Sequence, residues 1–144
     1  MEGKVISVNI SETKGVVKNP IESGEFKENH GLVGDAHSGN WHRQVSLLAL
    51  ESIEKMNKAG AKDLTPGKFA ENLTTEGIVL YELSVGTKVQ IGETLHEVTQ
   101  IGKECHKGCA IKQLVGDCVM PIEGIFTKVL KGGIIRVGDK ITVL

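Results

Sequence analysis

Aromatic residues are scarce in this chain, and no stretch of it is long and uniformly apolar. Phe, Trp and Tyr make up 3% of the 144 residues, so any core must rest on Val, Ile and Leu. No apolar run approaches the roughly 20 residues of a membrane helix, and no membrane association is expected. An excess of one charge is also missing. The net charge of -1, with 24% charged residues, gives no broad electrostatic reason to bind nucleic acid or an anionic bilayer. The opening Met-Glu-Gly-Lys-Val-Ile-Ser-Val is short, alternating and acidic, unlike a secretory signal. The expectation is a cytoplasmic protein with reduced cysteines. No H-E-x-x-H spacing occurs, and Gly31, Gly34 and Gly39 fit neither a P-loop nor a dinucleotide fingerprint.

Cysteine is absent from all but one stretch. Cys105, Cys109 and Cys118 fall between Gly102 and Met120, with Lys103, His106, Lys107 and Lys112 around the first two. Neighbouring cations lower a thiol's pKa and raise its thiolate fraction. An odd count in one short segment argues against a disulfide framework. Three readings remain open. Cys105 or Cys109 is a nucleophilic or metal-ligating thiolate. Alternatively, Cys105, Cys109, Cys118 and a histidine hold zinc. Or the thiols are buried as small apolar groups, most naturally Cys118 in Gly-Asp-Cys-Val-Met.

Glycine is plentiful, at 18 residues, which suits a sheet protein with many tight turns. Lys4–Ile10 alternates as a strand. Glu12–Pro20 is polar and ends in an Asn-Pro turn signal, and Ile21–Asn29 reads as a loop or edge strand. His30–Arg43 is glycine-rich and carries Asp35, His37, His42 and Arg43; it is read either as a plain loop or as a polar rim that binds an anion. Gln44–Leu48 is a short apolar strand. Leu48–Ala59 is the clearest helix, with Ser46 placed to cap it, Gly60 to stop it, and Glu51 and Lys55 spaced for an ion pair of about 0.2–0.5 kcal/mol. Pro66-Gly67 is a turn, followed by Phe69 and Leu73 as core candidates, with the polar pair Glu71 and Asn72; Lys68 shares the rim's status. Strands are expected at the end of 81–91 and over Thr94–Ile101. Ile125–Leu130 is a short strand or helical turn before a Lys131-Gly-Gly turn, and two short strands over 134–144 flank a Gly-Asp turn. Segments 85–91 and 137–143 are similar, each a glycine turn before a strand that finishes a barrel edge. The expected architecture is a single domain, 1–144, mainly β, barrel-like, with one substantial helix and short helical turns.

Five patterns occur in order: Gly-Leu-Val-Gly-Asp-Ala-His-x5-Arg, Pro-Gly-x-Phe-x-Glu-Asn-Leu, Gly-x-x-Val-x-Ile-Gly, the cysteine segment, and Val-Leu-x-Gly-Gly-x4-Gly-Asp. Together they resemble a MOSC domain, the family named for the C-terminus of molybdenum cofactor sulfurase, over nearly the whole chain. Gly-Asp-Cys-Val-Met-Pro-x-Glu-Gly-Ile-Phe is similar to the small stand-alone bacterial type. The resemblance implies a MOSC-type β-barrel and one essential cysteine that carries persulfide sulfur or ligates molybdenum of the molybdenum cofactor. Cys109 matches better than Cys105, because Ala110-Ile111 follow it. The cofactor's phosphate calls for cations and amide donors, which Arg43, Lys68 and Lys103 or Lys107 could provide; the candidate cofactor-binding residues as a whole are Asp35, His37, Arg43, Lys68, Glu71, Asn72 and Lys103. Implied partners are a pyridoxal-phosphate-dependent cysteine desulfurase or another protein of cofactor biosynthesis or use. Two other functions stay open: a cofactor-dependent reductase of N-hydroxylated compounds, and a zinc-stabilised module without catalysis.

Overall fold

The structure is a computed structural model that describes residues 2–14, 16–58, 60, 64–102 and 123–144. The segment bearing all three cysteines, together with Lys103, lies outside the described residues. Eleven strands are described: β1 (Glu2–Ile10), β2 (Asn19–Ile21), β3 (Ser23–Lys27), β4 (Gly31–Leu32), β5 (Val45–Ala49), β6 (Leu73–Glu76), β7 (Lys88–Ile91), β8 (Thr94–Ile101), β9 (Ile125–Lys131), β10 (Gly133–Arg136) and β11 (Lys140–Val143). One helix, α1 (Leu50–Lys58), follows β5, and a single 3₁₀ turn spans Leu80–Glu82.

Seven strands close into a barrel. The ring runs β11-β7-β8-β9-β5-β6-β1 and returns to β11 through Glu2–Lys4 against Lys140–Thr142. Among the described strand pairs, β5 and β6 alone run parallel, which the crossover through α1 makes possible. A smaller sheet, β10-β3-β4, leans on the barrel. The barrel core is aliphatic, as the shortage of aromatics requires: Val5, Val8, Leu47, Leu73, Val89, Ile91, Val98, Ile125 and Ile141 are all buried there. The helix buries Ile53 and Met56 in a separate cluster with Leu48, Phe69 and Phe126. Its end is set at Gly60, which has a φ of +121° and donates its N–H to the Asn57 carbonyl.

The twin segments 85–91 and 137–143 turn out to be neighbours. Their strands β7 and β11 pair antiparallel, Ile91 opposite Ile141 and Val89 opposite Val143. Gly86 donates to the Val98 carbonyl and Gly138 to the Val5 carbonyl, so each turn is tied to the next strand of the ring.

Several expectations need correction. Asn19-Pro20 lies inside β2 rather than marking a turn; Pro20 is tolerated because β2 is the outermost strand, paired on one side only, with β1. Ile21–Asn29 is not an edge, since its β3 sits between β10 and β4. Ser46 does not cap the helix. It belongs to β5, and its hydroxyl lies within hydrogen-bonding distance of the Ala70 carbonyl and Asn72 Oδ1 while accepting the Asn72 N–H. Glu51 and Lys55 do not pair, because Glu51 accepts the Gly77 N–H and Lys55 meets Glu123 at 3.1 Å.

A titratable side chain lies within the barrel wall. His96 on β8 is fully buried, 6.0 Å from the Phe26 ring centre. The Thr94 hydroxyl donates to the Ile91 carbonyl, so His96 Nε2–H donates to Thr94 at 2.8 Å and Nδ1 accepts from Thr127 at 2.9 Å. Burial pushes the ring's pKa down to about 3 from 6.5. Below pH 6.5 the unfolded chain therefore takes up a proton that the folded chain refuses, and stability falls with pH by up to about 1.4 kcal/mol per unit until the folded value is reached. A urea midpoint measured between about pH 7 and 5 should fall more steeply for the wild type than for His96→Gln. Equal slopes would show that another group is responsible.

Candidate functional site

The site is assembled around Lys18, which lies in the polar link between β1 and β2. Its side chain is fully buried. The ammonium donates to Ser11 Oγ at 3.0 Å and Asp35 Oδ1 at 2.8 Å, and stands 3.0 Å from His37 Nδ1. Asp35 is buried with it and also accepts the Ser11 and His37 backbone N–H groups at 3.1 Å. Burial alone would raise the Asp35 carboxyl's pKa, but the Lys18 hydrogen bond, the Ser11 N–H and the Lys18 charge outweigh it and hold it below the ordinary value. An isolated charge at this depth would be costly, and the pair is tolerated because both members are hydrogen-bonded.

From Asp35 the chain turns back over the barrel rim. Trp41 Nε1 donates to the His37 carbonyl at 2.8 Å. Arg43 Nε donates to Gln100 Oε1 at 3.0 Å, and His42 Nε2 lies 3.0 Å from the same oxygen. The guanidinium sits 5.3 Å from the Phe126 ring centre and 6.0 Å from that of Trp41. A bulge in the β8–β9 ladder between Val98 and Gln100 frees Thr99, whose hydroxyl meets the His42 and Phe126 carbonyls. Gln100 Nε2 donates to the Gly102 carbonyl at 2.8 Å. Gly102 is the last described residue before the cysteine segment, and its N–H donates to Gly124 at the segment's far end.

These groups enclose a cleft of about 210 Å³. Lys14, His37 and Arg43 supply its polar wall, Trp41, Phe69 and Phe126 its flat apolar wall, and Ser46 and Ala70 the remainder. No carboxylate is among these described lining residues. The cleft is therefore cationic, with donors and aromatic faces, which suits an anion carrying a flat ring.

The structure thus brings His37 and Arg43 into one cleft and sets Asp35 directly behind them. Glu71 and Asn72 lie under the cleft, turned inward. Glu71 accepts from Gly67 N, Phe69 N and Thr74 Oγ1 at 3.1, 3.2 and 2.7 Å. Burial raises its pKa, and those three donors only partly offset the rise. Asn72 Oδ1 accepts the Ser46 N–H, and its Nδ2 donates to the Asn9 carbonyl. Lys68 is exposed and does not line the cleft. Lys103, Cys105 and Cys109 lie outside the described residues. Among the described residues, no group of three or more His, Cys, Asp or Glu is arranged to hold a metal, and no helix is long and apolar enough to cross a membrane.

Sequence reasoning passed over Lys18, Lys14 and Gln100. Lys18 stands in a polar run without periodicity, and nothing local distinguishes a buried lysine from a solvated one. Gln100 falls within the strand expected over Thr94–Ile101, and that strand leads directly to the cysteines, a usable signal.

A closed seven-strand barrel with a cationic cleft at its rim, beside the origin of the cysteine-bearing segment, defines the fold class as a β-barrel. The chain belongs to the MOSC domain family, whose model matches residues 34–142; the family is linked to the molybdenum cofactor. YuaD from Bacillus subtilis is similar in structure, with a TM-score of 0.81 at 20% identity, covering 98% of this chain and 94% of that one. YiiM from Geobacillus stearothermophilus gives 0.73 at 17% identity, covering 99% and 75%. YiiM from Escherichia coli gives 0.72 at 17% identity, covering 100% and 70%. At such identities the likeness speaks to the fold alone. Among curated proteins none matches the chain.

Substitutions at Gly67, Lys18 and Asp35 test this construction. Gly67 has a φ of +91°, and a Cβ there would run into the Lys18 carbonyl, while its own carbonyl accepts the Lys18 N–H. Gly67→Ala should cost about 1–3 kcal/mol from backbone strain, with more from the clash, read as a lowered urea midpoint. Lys18→Met should cost about 3–5 kcal/mol by stranding Asp35, and Lys18→Met with Asp35→Asn should recover most of that loss.

Proposed function

We propose that the cleft receives the molybdenum cofactor and that one thiol of the adjoining segment, Cys109 in preference to Cys105, is presented to its metal or carries sulfur to it. One observation carries this reading: Gln100 holds Arg43 with one end of its amide and the Gly102 carbonyl with the other, so the anion-binding wall and the start of the cysteine segment share one side chain. The donor set fits the group. Arg43 and Lys14 meet phosphate as charge-assisted donors, the Trp41 and Phe126 faces suit a flat pterin, and soft thiolate is an apt ligand for molybdenum. When bound, the cofactor would supply oxygen-atom and electron chemistry. The chain's own residues bind the phosphate, hold the ring and place the thiol. As a carrier, the thiolate would attack the terminal sulfur of a persulfide on a pyridoxal-phosphate-dependent cysteine desulfurase, whose cysteine leaves as thiolate.

The test is molybdenum and pterin analysis of protein purified from a cofactor-producing host. Wild type should retain pterin, and Arg43→Ala should retain at least about tenfold less, the loss expected for one charge-assisted contact of roughly 1.5–3 kcal/mol. Cys109→Ser should keep the pterin and lose the metal or the transferable sulfur. Loss on Cys105→Ser instead would reassign the thiol. A wild type that takes up neither cofactor nor sulfur contradicts the proposal.

A further inference from the structure

We infer that the methyl of Ala70 is a ligand contact: the chain carries it in the cleft wall, at a cost in stability, because the flat ring of the ligand rests on it. The backbone singles this residue out. Ala70 has a φ of +62°, in the left-handed region. Every other described residue with a positive φ is glycine, except Asn29. Asparagine tolerates this region through its short polar side chain, which at Asn29 accepts from Gln44 Nε2. Alanine has no such compensation, and its Cβ crowds the following carbonyl. Glycine would adopt the same conformation without strain. Among the described residues, Ala70 alone carries this strain with neither remedy, and it lies on the cleft.

The surroundings hold the strained residue in place. Its N–H donates to the Gly67 carbonyl at 3.0 Å, and its carbonyl stands 3.3 Å from the Ser46 hydroxyl. The Glu71 carboxylate braces the same turn by accepting the Gly67 and Phe69 N–H groups. With both backbone groups of Ala70 engaged inside the fold, what the residue adds to the cleft is its methyl. Phe69 precedes it, and Trp41 and Phe126 line the same space of about 210 Å³. Ala70 is only partly buried, so a ligand can still cover it. A methyl gives a ring an apolar contact without filling a cleft of this size. On the cofactor reading, on which this inference rests, the part of the ligand that meets Ala70 is the pterin ring and not the phosphate, since the residue's one donor is given to Gly67.

Ala70→Gly separates a ligand contact from a packing role, because two readouts should move in opposite directions. In the ligand-free protein the urea midpoint should rise by about 0.5 M as the strain is released. Affinity for a pterin phosphate, read by quenching of Trp41, the chain's one tryptophan, should fall about threefold to fivefold, the loss expected for one buried methyl. In wild type labelled at the alanine methyls, the NMR signal that is missing from Ala70→Gly should shift under the ring current of the bound pterin. A midpoint that stays level or falls would show that the methyl serves the fold, and would overturn the inference. Equal affinities of wild type and variant, or an Ala70 methyl signal indifferent to bound pterin, would overturn it too and leave the cofactor reading standing. A wild type that binds neither pterin phosphate nor inorganic phosphate would defeat the cofactor reading and the inference together.

Discussion

The ammonium of Lys18 and the carboxylate of Asp35, 2.8 Å apart and sealed from water, set the arrangement of everything around the cleft. Lys18 also joins a third segment through its backbone, its N–H donating to the Gly67 carbonyl. Gly67 in turn donates to Glu71, whose carbonyl accepts from Asn9 on β1. The link between β1 and β2, the rim loop from Asp35 to Arg43 and the Pro66–Asn72 segment therefore meet at one lysine. Replacing such a pair by apolar groups is often neutral in stability. Its role here is to fix the geometry of loops that have little apolar surface of their own.

The barrel supplies what those loops lack. Closure between β1 and β11 leaves the ring without an edge, and its aliphatic core sits apart from the helix cluster. Two irregularities then turn the barrel toward the site. A shift between Val5 and Ser7 lets β1 bury Ser7 and Asn9 beside Thr74 and Glu71. The Thr99 bulge ties β8 to His42, the residue before Arg43. Both devices bring polar groups to one end of an otherwise apolar scaffold.

How much of this could be read beforehand follows the range of the interactions. Period-two alternation located β1 and β8, the Gly-Asp turn signal placed β10 and β11 on either side of it, and two similar glycine-led segments proved to be paired strands. The rim residues His37 and Arg43 were visible because Gly31, Gly34 and Gly39 mark out their loop. What escaped depends on contacts distant in sequence. Ser46 resembles a cap, yet it is drawn into β5 by Asn72, and Glu51 turns from Lys55 to the Gly77 N–H. Glu71 and Asn72 had the composition of a binding pair. Their hydrogen bonds reach Thr74, Ser46 and Asn9, which no local pattern announces. Lys18 was hidden for the same reason: burial of a lysine is decided by an aspartate seventeen residues away.

The central claim is that one cleft unites an anion-binding wall with the thiol segment that leaves beside it. It is tested most directly by a crystal structure of the protein with molybdenum cofactor, the metal located by its anomalous scattering. The account predicts the phosphate against Arg43 and Lys14, and the metal within bonding distance of a cysteine sulfur. A cofactor seated elsewhere on the barrel, or one whose metal lies far from all three cysteines, would contradict it.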